Sequence, residues 1–219
     1  MSILFVLLMF LLILSISYFR TRKEVPARPE AWAGPLPPRM EREYGFSIPQ
    51  GYSFHPGHTW VSKEGTENTR VGLDSFAANL FGKVDQIEIV GPNRWIRQGQ
   101  KFATAKVSGM TVDLLSPVEG VITGINHDVV QDPALLTQDP YNKGWVAIVK
   151  SPDFAFNQKN LVQGPMVAPW MQNSVTRFNA VLGELSPALA QDGGLPISGV
   201  LARVSPQLRE KLVKELFLN

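Results

Sequence analysis

The sequence predicts a mainly β protein, a small β-barrel or sandwich, with an apolar N-terminal segment and a helical C-terminal extension. Three observations predict it. From Gly51 to about Asp153, short apolar runs are divided by Gly, Pro, Asn and Asp, the pattern of strands between turns. Phe102 to Leu115 reads as one hairpin, with a tight turn at Ser108-Gly109. Beyond residue 153 the apolar residues fall instead at helical spacing. Strand after short strand with little helix between them argues for a closed or double-layered β architecture.

Taken in order, the first element is Ile3 to Phe19, almost wholly Ile, Leu, Phe, Val and Met and broken only by Ser15 and Ser17. As a helix it reaches about 25 Å, near the short limit for a ~30 Å hydrocarbon core. A cleavable signal peptide would want a basic start and a small-x-small site. Nothing basic precedes the run, and Ser15-Ile16-Ser17 is the only weak site, so an uncleaved transmembrane anchor over residues 1–23 is expected. Arg20, Arg22 and Lys23 follow directly. By the positive-inside rule the N-terminus lies outside and the main domain is cytoplasmic, which predicts a single-pass protein of a bacterial inner membrane with the lipid bilayer as one partner.

Residues 24–46 read as a linker. Pro26, Pro29, Pro35, Pro37 and Pro38 exclude helix and central strand and favour extended polyproline II. The segment is either a plain spacer or lies on a partner through Trp32, Leu36 and Met40.

The β domain is expected over residues 47–153. Strands are predicted from Val61, at Arg70-Val71-Gly72-Leu73, and from Val84 to Val90, which alternates apolar and polar. Asp74 caps a predicted helix, Ser75 to Phe81, closed by Gly82. Arg94 to Gly99 reads as a loop before the hairpin. Val118 to Ile125 is a strand, Asp132 to Thr137 a short helix or turn, and Trp145 to Val149 a last strand.

The extension, residues 154–219, begins with a loop-like stretch from Asn157 to Pro169. A helix is predicted over Trp170 to Leu185, with Trp170, Met171, Val175, Phe178, Val181, Leu182 and Leu185 apolar. Ser205 and Pro206 then start a final helix as N-cap and first residue. Its stripe is Leu208, Leu212, Val213 and Leu216, with charged residues opposite. These helices either cover the domain's own faces or dock a partner through Trp170, Met171, Phe178 and Phe217; the sequence leaves both open.

Composition narrows the chemistry. The 219 residues carry a net charge of +2, and no Lys/Arg cluster beyond the first segment tracks a phosphate backbone, so nucleic acid is not an expected partner. The sequence has no cysteine, which rules out disulfides, thiolate metal sites and cysteine nucleophiles within it. His55-Pro56-Gly57-His58 lacks a nearby third ligand, so no metal site is expected. No G-x-S-x-G elbow marks an esterase-type serine.

The hairpin carries a resemblance. Asp113-x-x-Ser116-Pro117-x-x-Gly120 is similar to the tail of the modification hairpin of the glycine cleavage system H protein. His58-x-Trp60 resembles that family's opening His-Glu-Trp. Val71-Gly72-Leu73 with Leu80-Phe81-Gly82, Ser116-Pro117-Val118-x-Gly120 with Asn126, and Asp139-Pro140-Tyr141-x-x-Gly144-Trp145 resemble further landmarks in the same order. The resemblance implies a barrel-sandwich hybrid of the lipoyl/biotinyl type. In that family a lysine at the turn carries lipoyl. Counted back from the tail, the lysine falls on Gly109, and the family's glutamate three residues earlier falls on Lys106. The resemblance also puts Thr59 in place of a pocket glutamate, and Leu80, or Asn79 if the register slips by one, in place of a pocket histidine. It therefore implies a carrier fold without its attachment point.

The functional expectation is a non-catalytic accessory or scaffold subunit, with no cofactor, stabilising a larger respiratory or photosynthetic membrane complex through contacts with its other subunits. The alternatives are a membrane-tethered component of lipoate or one-carbon metabolism, modified at Lys106 or binding lipoylated partners, and a small-ligand sensor.

Overall fold

A computed structural model describes residue 9, residues 39–185 and residues 198–218. The chain divides into two compact units, residues 1–37 and 38–219, and the fold below is that of the second. The expected anchor, apart from Met9, and the greater part of the Pro-rich segment, including Trp32 and Leu36, lie outside the described residues. Among the described residues, no helix is long and apolar enough to cross a membrane.

The described chain opens with a hairpin, β1 (Met40–Glu43) and β2 (Phe46–Pro49), joined at Tyr44-Gly45. Both turn residues have positive φ, 49° and 80°, as a two-residue hairpin turn demands. This corrects the expectation of linker throughout residues 24–46. Phe46 and Ile48 are buried, Phe46 edge-on to Phe76 at 5.3 Å, and that burial holds the segment as a strand pair.

Next come β3 (Ser53–His55), β4 (Thr59–Glu64) and β5 (Asn68–Leu73). Helix α1 (Ser75–Phe81) follows, with Asp74 accepting from the Ala77 amide as N-cap and Gly82 at the C-cap, as the sequence predicts. Gly82 has φ 64°, and its missing Cβ would collide with the Gly199 backbone, so glycine is required there for two reasons. Then β6 (Gln86–Ile89), β7 (Trp95–Ile96), β8 (Lys101–Val107), β9 (Met110–Leu115) and β10 (Gly120–Ile125) follow. The predicted loop before the hairpin thus contains β7, which pairs with β10. Helix α2 (His127–Gln131) was not predicted, α3 (Leu135–Gln138) overlaps the short helix or turn expected over Asp132 to Thr137, and β11 (Trp145–Lys150) closes the domain.

Among the described residues all strand pairs are antiparallel. The extension adds α4 (Phe154–Gln158), β12 (Val162–Gln163) and a 3-10 turn (Gly164–Met166). The main sheet then runs β12-β3-β4-β5-β11-β10-β7, and a second sheet runs β6-β8-β9. The stretch expected as loop is therefore ordered, because β12 continues the sheet at β3. Helix α5 (Val167–Leu185) starts three residues before the predicted point, with Pro169 in its first turn, where no amide hydrogen bond is lost. Helices α6 (Val200–Arg203) and α7 (Pro206–Phe217) end the chain, Ser205 accepting from the Leu208 amide as predicted.

One apolar core joins the sheets to the extension. Val71, Phe76, Leu80, Phe81, Phe102, Val112 and Leu114 pack in the same cluster as Met171, Phe178, Leu201, Leu212, Leu216 and Phe217. A side chain of this size, fully buried, contributes about 1.5–3 kcal/mol, so the helices are integral to the fold.

Candidate functional site

The β8–β9 hairpin presents Ser108 and Gly109 at φ 50° and 79°. Two successive left-handed residues make the type I′ geometry that matches strand twist. Gly109 is exposed, and no heavy atom lies within 4 Å of where a Cβ would stand. The turn is held from both sides. The Ser108 amide donates to Asp85 Oδ2 at 3.2 Å, and Arg209 Nη1, from α7, donates to the Ser108 carbonyl at 2.6 Å. No amine sits at the turn itself. The nearest lysine in sequence is Lys106, exposed on β8 opposite Gln86 and Thr111.

A second constellation lies under the extension. His58 Nδ1 and Asp74 Oδ2 are 2.8 Å apart, both buried. Asp74 uses its other oxygen as the α1 cap, so one carboxylate ties the β3–β4 turn to the helix. His58 has φ 61°. Its ring stacks on Phe76 at 4.5 Å and on Trp170 at 4.9 Å, and Phe217 meets it edge-on at 5.8 Å. Aromatic carbon covers both ring faces, which leaves no room for a substrate. The pair is a buried strut. His55, three residues earlier, accepts from the Gly57 amide, and burial together with the His58 charge lowers its pKa to about 4.

The positions that the resemblance assigns to an arm pocket hold no ionisable group. Thr59 is buried and donates to the Leu115 carbonyl at 2.7 Å. Leu80 is buried in the core, while the Asn79 carbonyl accepts from Gly199 of the extension.

Among the expected docking residues, Met171, Phe178 and Phe217 are buried inside the chain's own core. This corrects their expected role, because their apolar surface is already spent against α1 and the sheets. Trp170 is half-buried, stacked on His58 and 5.7 Å from Phe54. Met40 is exposed on β1. Trp32 and Leu36 lie outside the described residues. Among the described residues, no three His, Asp or Glu side chains are grouped so as to hold a metal ion.

Sequence reasoning missed Asp74 as the partner of His58, and Arg209 as the residue that grips the turn. It also missed Trp95 and Phe156, large aromatics left 53% and 69% exposed at one cleft.

Residues 52–173 match the family model described as glycine cleavage H-protein. The glycine cleavage system H protein of Mycobacterium avium is 31% identical over 108 residues, 49% of this chain and 82% of that protein. The H protein of Magnetococcus marinus is 34% identical over 107 residues, 49% of this chain and 76% of that protein. That of Pseudoalteromonas atlantica is 29% identical over 129 residues, 59% of this chain and 96% of that protein. A crystal structure of the Mycobacterium marinum H protein aligns with 27% identity and a TM-score of 0.45, over 48% of this chain and 86% of that one.

Proposed function

We propose, from the premise that the chain belongs to the glycine cleavage H-protein family, that it is a non-carrier member serving as an accessory or scaffold subunit. In this reading residues 1–23 anchor it in a membrane, and its β domain and extension hold together a larger membrane complex. The observation that carries the reading is the turn at Ser108-Gly109. Amide attachment of a lipoyl group needs an amine projecting from the turn, and neither residue has one. The turn does not fit the group. Three further features support the reading. Lys106 reverses the charge expected beside an attachment point, Thr59 and Leu80 leave the arm-pocket positions without an ionisable group, and α7 grips the turn from outside through Arg209.

Extraction in mild detergent followed by native separation tests the proposal. The chain is expected to co-migrate with much larger membrane partners, and its deletion to impair their assembly. Elution as a lone monomer, with assembly intact on deletion, refutes it. Exposure of Lys106 keeps one rival concrete, a chain modified on the strand instead of the turn. Intact-mass measurement separates the two, since that rival requires the added mass of a lipoyl group.

A further inference from the structure

We infer that the groove between the hairpin turn and α7 binds a small amphipathic anion, a carboxylate head on a short alkyl tail. The groove is a cavity of about 620 Å³, lined by Gly109, Met110, Pro206, Arg209, Val213 and Lys214 together with Thr111 and Glu210. That volume falls in the range of small-molecule sites, ~300–1,000 Å³. Its chemistry is two-sided. Met110, Pro206 and Val213 give an apolar wall suited to methylenes. Arg209 and Lys214 give a cationic end.

Arg209 sets the sign of the ligand. Its guanidinium is fixed by two neutral acceptors, the Ser108 carbonyl at 2.6 Å and the Val204 carbonyl at 3.4 Å. Its Nε is buried without a hydrogen-bond partner. Among the described residues neither Arg209 nor Lys214 forms an ion pair. Glu210 is the single carboxylate of the lining, so the groove keeps a net positive charge. A guanidinium held in place, partly desolvated and without a counter-ion is suited to a carboxylate, which accepts from the Nη hydrogens that the two carbonyls leave unused. Gly109 keeps the mouth open, since no side chain stands at the crest of the turn. The same chemistry belongs to a free carboxylate and to the anionic headgroup of a lipid.

The methionine methyls report on the site. The sequence has six methionines, of which Met110 lines the groove while Met40 and Met166 are exposed elsewhere. The full-length chain, labelled with 13C at the methionine methyls and held in zwitterionic nanodiscs, is titrated with octanoate. The Met110 signal should move saturably while Met40 and Met166 stay still. The exposed substitution Lys214→Glu should weaken the response about tenfold, Arg209→Gln should weaken it further, and octylammonium should give none. Discs containing phosphatidylglycerol distinguish the sources: a Met110 shift without octanoate assigns the groove to lipid headgroups, and its absence assigns it to free carboxylates. A Met110 signal unmoved by octanoate and by anionic discs overturns the proposal. So does a response equal for octylammonium or unchanged in Lys214→Glu.

Discussion

Gly109 occupies a backbone conformation, φ 79°, that costs an ordinary residue about 1–2 kcal/mol. Space is not the constraint, because nothing lies within 4 Å of a Cβ there. Gly109→Lys is therefore expected to fold normally and lose about 1–2 kcal/mol in urea denaturation; a loss above 3 kcal/mol would show that the crest is packed. His55 supplies a pH-dependent counterpart. Burial and the His58 charge lower its pKa from 6.5 to about 4, so the unfolded chain binds the extra proton between these values. The neutral form's stabilisation is present in full above 6.5 and lost as pH falls through 4, by up to about 3 kcal/mol. Thermal melts should fall from pH 7 to pH 4, and His55→Gln should flatten the slope; an equal slope in the variant contradicts the assignment. Asp74 was legible in the sequence as a helix cap, since it precedes an apolar run closed by glycine. Its bond to His58 was not, because the pairing depends on how the β3–β4 turn returns over α1. Asp74→Ala removes the cap and strands a buried imidazole, so a loss of about 3–5 kcal/mol is expected in denaturant titrations.

Periodicity located α1, the β8–β9 hairpin and α7 because each pattern is closed by its own signals: Asp74 and Gly82, Ser108-Gly109, Ser205-Pro206. The elements it missed are those whose cause is remote. The β1–β2 hairpin sits beside five prolines, and it stays extended because Phe46 packs on Phe76 while Ile48 is buried in the cluster of Phe54, Trp60 and Tyr141. β12 is two residues long and exists because β3 offers an edge. Phe217 shows the same limit for the candidate site. It ends an amphipathic helix, as a docking residue would, yet its ring lies 5.2 Å from Phe81 and within the core. Phe217→Ala should cost about 3–5 kcal/mol as a core truncation, whereas Phe156→Ala, at an exposed ring, should stay within about 0.5 kcal/mol. Equal effects in chemical denaturation would contradict the burial of α7.

For the whole molecule, the family's domain and the extension act as one body, because the apolar core passes from the sheets into α5, α6 and α7 without a break. The family was legible in the order of its landmarks, and residues 52–173 match its model. That no amine stands at the turn was legible at Gly109. What α7 does about it was not: Arg209 reaches the Ser108 carbonyl from 101 positions along the chain. In the proposed reading the hairpin serves as a post for the C-terminal helix, and the account's central claim is that such a domain holds partners together and carries no group. Native mass spectrometry of the chain extracted from its own membranes tests that claim most directly. The account predicts a subunit at the unmodified sequence mass, released from a much larger assembly; a free monomer, or a chain heavier by one lipoyl group on Lys106, would contradict it.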